Sequence, residues 1–229
     1  MTTPMVFDEL PVKVKLPPIP DRIKMLPVDY RGYPIPWFVA MVTQGDGEPY
    51  SDFRMADVKK LSMAILQNLC WVCGQPTGKF KSFVLGPMCA LNRNNAEPPC
   101  HKECATFSAM ACPFITKPNM KRNEHDLPEN MAAEAGIAIK RNPGCVCVWT
   151  TKSFTWFKHG GGALFTPGEP VSTEWYAEGR TATREEVLAS VESGVPILLD
   201  MAAKDSNPEE ALALLARMEA DLQKHVPKA

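Results

Sequence analysis

The stretch Cys70-Trp71-Val72-Cys73-Gly74, answered further along by His101-Lys102-Glu103-Cys104, decides how this chain is read. Two thiols on a tight turn, followed by an imidazole and a thiol one helical turn apart, are the donor pattern of a tetrahedral zinc site of Cys₃His type. Four protein donors close such a site and leave no position for water, so the role implied is structural. Metal binding would contribute on the order of 10 kcal/mol to folding a unit too small to hold itself together. The ligand set read from the spacing is Cys70, Cys73, His101 and Cys104. Cys100, four residues before Cys104, is an alternate that would give a Cys₄ site. Cys89 and Cys112 are further alternates, although each reads more simply as a small core residue. An iron–sulfur cluster on Cys70, Cys73 and two other thiols is the minor alternative.

The flanking residues give this site a setting. Gly74 permits the left-handed backbone that a metal knuckle needs. Residues 79–85 read as a strand, Gly86-Pro87 as a turn, and residues 88–91 as a returning strand. Pro98 and Pro99 lead into a helix that carries residues 105–111 and stops before Pro113. Knuckle, hairpin and a helix donating its first-turn pair make a treble-clef-like module, in which His101 and Cys104 share one helical face. On the N-terminal side, Val58, Leu61, Ile65 and Leu69 recur at helical steps, with Lys59, Lys60 and Gln67 turned away. A helix over residues 54–69 is therefore expected to run into Cys70.

Further out, residues 1–53 carry prolines at 11, 17, 18, 20, 27, 34 and 36, which forbid a long helix. They are expected to form an extended, proline-rich arm, with a strand over residues 12–16 and an apolar run from Trp37 to Val42. Residues 124–229 read as a small antiparallel sheet followed by two helices. Strands are expected over residues 144–150, 153–158 and 172–178, with Cys145 and Cys147 on one buried face. Thr183-Arg184-Glu185-Glu186 is a capping box that opens a helix ending at Gly194. Asn207-Pro208-Glu209-Glu210 opens the next, with Leu212, Leu215, Met218 and Leu222 as its packing stripe, within the chain or between protomers. The expected class is α+β in three zones, 1–53, 54–123 and 124–229, the last forming one compact unit with the zinc module.

Charge is close to balanced over the chain, with 25 basic and 26 acidic residues, but it is unevenly spread. Residues 54–122 hold ten Lys or Arg against three acids, whereas residues 169–229 hold six against twelve. This asymmetry fits a polyanion-binding part beside an acidic part, and equally two parts that attract each other. No run approaches a membrane span, no secretory signal is visible at the start, and paired cysteines in a reducing cytoplasm mean metal more often than disulfide. Two further motifs read as turns. His159-Gly160-Gly161-Gly162 resembles an esterase oxyanion loop but has no nucleophile elbow to serve it. Gly45-Asp46-Gly47-Glu48 has too few ligands for calcium.

The segments C-W-V-C-G-Q-P-x-G, F-V-L-G-P-M-C-A-L-N-R, E-P-P-C-H-K-E-C and the later W-Y-A-E-G-R-T-A-T-R-E-E-V-L-A-S-V-E-S-G-V-P resemble an uncharacterised family of actinobacterial and actinobacteriophage proteins. The resemblance spans about residues 27–196. It implies a phage or prophage setting, hence the host cytoplasm, and no mechanism.

Three function classes accommodate these residues. The leading one is a zinc-stabilised, non-enzymatic DNA- or RNA-binding protein, with Lys79, Lys81, Arg93, Lys102, Lys117, Lys121 and Arg122 on phosphates. Trp71, Phe80 and Phe83 are the candidates for base stacking, although core packing suits at least two of them better. The second is a phage-type adaptor or host-factor inhibitor that contacts protein through the acidic C-terminal helices. The third is an enzyme drawing on Glu174, Glu178, Arg180 and His159; no nuclease constellation is visible, and no catalytic residue is assigned.

Overall fold

In the computed structural model, which describes residues 14–43, 46–118, 120, 121, 123, 125, 135 and 142–228, the chain is built around one strand buried on both faces. In chain order the elements are α1 (Asp21–Lys24), β1 (Val39–Val42), β2 (Tyr50–Ala56), α2 (Val58–Gln67), β3 (Lys81–Leu85), α3 (Pro87–Asn92), α4 (Lys102–Ala111), α5 (Pro113–Thr116), β4 (Val146–Thr151), β5 (Phe154–His159), β6 (Gly162–Pro167), β7 (Pro170–Ala177), β8 (Arg180–Thr181), α6 (Arg184–Ala203) and α7 (Pro208–Leu222). The central sheet is antiparallel in the order β3-β4-β7-β8, and β1-β2 and β5-β6 are separate two-stranded pairs. The fold is thus mixed α+β with small antiparallel sheets.

Strand periodicity divides the core. Cys147 and Trp149 of β4, with Cys145 just before it, face one cluster together with Phe83, Leu85, Trp175 and Ala177. Val146 and Val148 face the other, with Tyr176 and the thiols of Cys70, Cys73, Cys100 and Cys104. Helices α3, α6 and α7 contribute to the first cluster, and α4 and the Cys70–Cys73 turn to the second. Trp149, Trp175 and Phe83 are fully enclosed, each contributing about 1.5–3 kcal/mol by burial. Both indoles also satisfy their N–H, on the carbonyls of Gly168 and His225 at 2.9 Å.

Several expectations need correcting. The apolar run at residues 88–91 is helix, not a return strand: Pro87 sits in the first turn, and Arg93 in a left-handed conformation ends α3. A four-residue apolar run carries no period that separates strand from helix. The return leg of the hairpin shrinks to Cys100, whose N–H donates to Ser82 and whose carbonyl accepts from it, at 2.7 and 2.9 Å. Helix α6 does not stop at Gly194 but continues through Pro196 to Ala203. Gly194 is there for closeness: a Cβ would stand 2.7 Å from the Met88 sulfur. Helix α2 begins at Val58, since Arg54 belongs to β2, and Val58 is exposed while Leu61, Ala64 and Ile65 turn inward. Lys60 does not turn away; its ammonium donates to the Val39 carbonyl at 3.0 Å. In the 12–16 stretch, Val12 and Lys13 lie outside the described residues and 14–16 form no strand. Gly45 also lies outside the described residues.

The sequence conceals how the N-terminal stretch is used. The Trp37 N–H donates to the Val72 carbonyl at 2.7 Å, and Phe38 stacks on Trp71 at 4.9 Å, which fastens residues 37–38 to the knuckle. No helix of the described residues is long and apolar enough to cross a membrane.

Candidate metal centre

The knuckle is shaped by its backbone. Cys70 N–H donates to the Gln75 carbonyl and Gly74 N–H to the Cys70 carbonyl, each at 2.8 Å, which folds the chain so that Cys70 and Cys73 face the same way. Gly74 has φ +72°, and a Cβ there would lie 2.7 Å from Cγ of Trp37. The position therefore requires glycine twice, for conformation and for space. Across from it, His101 is the N-cap of α4 and Cys104 lies in the helix's first turn.

Ligand atoms of Cys70, Cys73, His101 and Cys104 all lie within 4.8 Å of one another. His101 Nδ1 is 3.4 Å from Cys73 Sγ and 3.9 Å from Cys104 Sγ. A tetrahedral ion with sulfur at about 2.3 Å and nitrogen at about 2.05 Å needs S···N edges of about 3.6 Å, so the cluster fits such an ion. The other ring nitrogen, Nε2, is 3.0 Å from the Pro76 carbonyl. Donation there fixes the tautomer and leaves Nδ1 free to bind metal, as outer-shell partners commonly do. The His101 backbone N–H adds a hydrogen bond to Cys70 Sγ at 3.4 Å.

The crowded thiols perturb one another. The thiols of Cys100, Cys104 and Cys73 donate toward Cys70 and hold its pKa far below the usual thiol value. Cys104 is pushed up, chiefly because it gives its proton to Cys70. Deprotonated sulfur is the form that binds metal, and a divalent ion would favour it on all three cysteines.

The alternates are not among the four clustered residues. Cys100 is buried beside Cys70 without joining the four. Cys89 packs against the first core cluster, where burial raises its pKa to about 11. Cys112 lies between α4 and α5, raised likewise by burial. Cys145 and Cys147 are buried sheet residues on one face. All eight cysteines are free thiols.

The basic residues are dispersed. Arg93 bridges Glu169 at 2.6 Å and Asp221 at 2.5 Å and lies over the Trp149 ring. Lys102 pairs with Glu174 at 2.5 Å. Here the basic and acidic parts of the chain do attract each other. Lys81 donates to the Gly78 carbonyl, while Lys79, Lys117 and Lys121 are exposed. Arg122 lies outside the described residues. Of the three aromatic candidates for stacking, Trp71 and Phe83 are core, and Phe80 is 47% exposed.

Glu174 and Arg180, two of the candidates for catalysis, are spent on ion pairs. Glu174 binds Lys102 and the Tyr176 hydroxyl, and Arg180 forms a two-pronged pair with Glu186. Glu178 occupies the β7–β8 turn, and His159 the tip of the β5–β6 hairpin. Sequence reading missed the Pro76 and Gln75 carbonyls, which carry no side-chain signal, and the part played by Trp37 against Gly74.

Compared with known proteins, the chain matches no family model, no curated protein and no solved structure.

Proposed function

We propose that this chain is a zinc-stabilised, non-enzymatic binding protein whose ligand is nucleic acid. The Cys70–Cys73 knuckle, β3, the Cys100 bridge and α4 then form a treble-clef-like module with the ion as its staple. Three thiolates and an imidazole suit zinc above harder-ligand metals. With four protein donors the ion has no open position, so its contribution is to folding. Eight free thiols fit a reducing compartment such as the cytoplasm.

The observation that carries the nucleic-acid reading is the loop leaving the knuckle. Its base is clamped by Thr77, whose N–H and hydroxyl both donate to the Asn68 carbonyl, at 2.8 and 2.9 Å. From that rigid base Lys79 and Phe80 project into solvent, the ammonium 6.0 Å from the ring centroid, with Lys81 following. Cations for phosphates and a ring for bases are what polynucleotide binding needs. Lys117 and Lys121 supply further charge, whereas Arg93 and Lys102 are committed to carboxylates. The test is fluorescence anisotropy of the zinc-loaded protein with labelled DNA and RNA at low and moderate salt. Binding should weaken steeply with salt and fall in a Lys79→Ala/Lys81→Ala variant. Absence of binding at low salt rejects the reading.

A second reading, a protein adaptor, rests on α6 and α7. Ile197, Leu199, Met201, Leu212 and Leu214 are each about 40% exposed where the two helices run past the core, among Asp200, Asp205, Glu209 and Glu210. A stable protein complex formed without nucleic acid would favour it.

A further inference from the structure

The β5–β6 hairpin has no role in the metal centre, yet it carries the most exposed aromatic pair of the sheet strands. Trp156 is 48% and Phe157 49% exposed, and all of β5 after Phe154 faces solvent. Adjacent strand residues point to opposite faces, so each face of the ribbon presents one ring. The ribbon is firmly held. Phe165, the cross-strand partner of Trp156, is 1% exposed, and its backbone exchanges hydrogen bonds with Asn95 at 3.0 and 2.7 Å. At the base, Phe154 packs against Phe83 and Phe165. Among the described residues, β6 is the strand paired with β5.

The hairpin's own charge has one sign. Residues 152–168 contain Lys152, Lys158 and His159 and no acid. The next acid, Glu169, is tied to Arg93. Lys152, Lys158 and His159 are all exposed, interleaved with the aromatic residues along the strand.

We infer that the β5–β6 hairpin is a binding site for single-stranded polynucleotide, with Trp156 and Phe157 stacking on bases and Lys152 and Lys158 meeting phosphates. Unpaired bases expose the faces that stacking needs, and duplex does not. An acid-free, lysine-bearing ribbon complements a polyanion better than it complements a peptide strand. The inference rests on the nucleic-acid reading and specifies the strand type and a second contact surface.

The experiment measures anisotropy of labelled oligo-dT, oligo-rU and a mixed-sequence duplex with the zinc-loaded full chain. It compares the parent, Trp156→Ala/Phe157→Ala, Trp156→Phe and Lys79→Ala/Lys81→Ala, with melting temperatures as a folding control. The double aromatic variant should lose about tenfold or more in affinity for single strands, as expected for one or two lost stacking contacts, with duplex binding unchanged. Trp156→Phe, which keeps a ring, should stay near the parent. Whether oligo-dT or oligo-rU binds more tightly identifies the polynucleotide. Single-strand binding unaffected by the aromatic changes but lost with the lysines overturns the inference and leaves the proposed function standing. No binding of any polynucleotide by the parent removes both.

Discussion

Gly74 shows most sharply how one residue sets the metal centre. Its φ of +72° costs any other L-residue roughly 1–2 kcal/mol, and the Trp37 ring fills the space a Cβ would take. Gly74→Ala should therefore lower stability by about 2 kcal/mol or more, and zinc should leave the variant at a lower chelator concentration than the parent. Thermal melting with a chromophoric chelator reads both, and an unchanged melting temperature would mean that the knuckle is not held by Trp37. His101 makes the complementary point. Its Nδ1 is left free to face the three thiols because Nε2 has the Pro76 carbonyl to serve, and a backbone carbonyl cannot be read from side-chain spacing.

Helix α6 is the element with the best-defined start. Thr183 accepts from the Glu186 N–H at 3.3 Å, and the Glu186 carboxylate accepts from the Thr183 N–H at 2.8 Å, completing the capping box. Thr183→Ala should cost about 1 kcal/mol. The Arg180 guanidinium, and after it the Thr183 N–H, hold the Glu186 pKa down to about 2, from an ordinary value of 4.5. A carboxylate depressed in the folded state stabilises above its unfolded pKa and loses that contribution as pH falls toward the folded one. Stability should therefore decline between about pH 4.5 and 2 through this residue, and Glu186→Gln should flatten that part of the acid limb in a pH series of denaturant melts. A parallel decline in both proteins would place the acid sensitivity elsewhere. The later half of α6 carries no local end signal, because Gly194 is used for its contact with Met88 and not as a cap.

Across the whole molecule, charge asymmetry acts first as glue. Arg93 at the end of α3 reaches Glu169 before β7 and Asp221 on α7, and Lys102 on α4 reaches Glu174 on β7. Glu169 is largely exposed, so solvent screens that pair, and Arg93→Ala should cost only about 1 kcal/mol, diminishing with added salt. Its affinity for nucleic acid should match that of the parent. A large loss of binding in Arg93→Ala, without loss of stability, would return Arg93 to the phosphate-contacting set.

Local spacing sets the chemistry of short patterns in this chain. Cysteine spacing named the four residues that cluster, because a turn and the first turn of a helix each impose a fixed separation on their ligands. Alternation placed Cys145 and Cys147 on one buried face, and the Thr183 box set a helix start. The folded structure settled what lies beyond local spacing. It made residues 88–91 a helix, carried α6 past Gly194 and Pro196, placed Trp71 and Phe83 in the core, and spent Arg93 and Lys102 on carboxylates. The last three of these are fixed by partners far away in the chain (Met88 for Gly194, Phe38 for Trp71, Asp221 for Arg93), and local periodicity holds no information about such pairs.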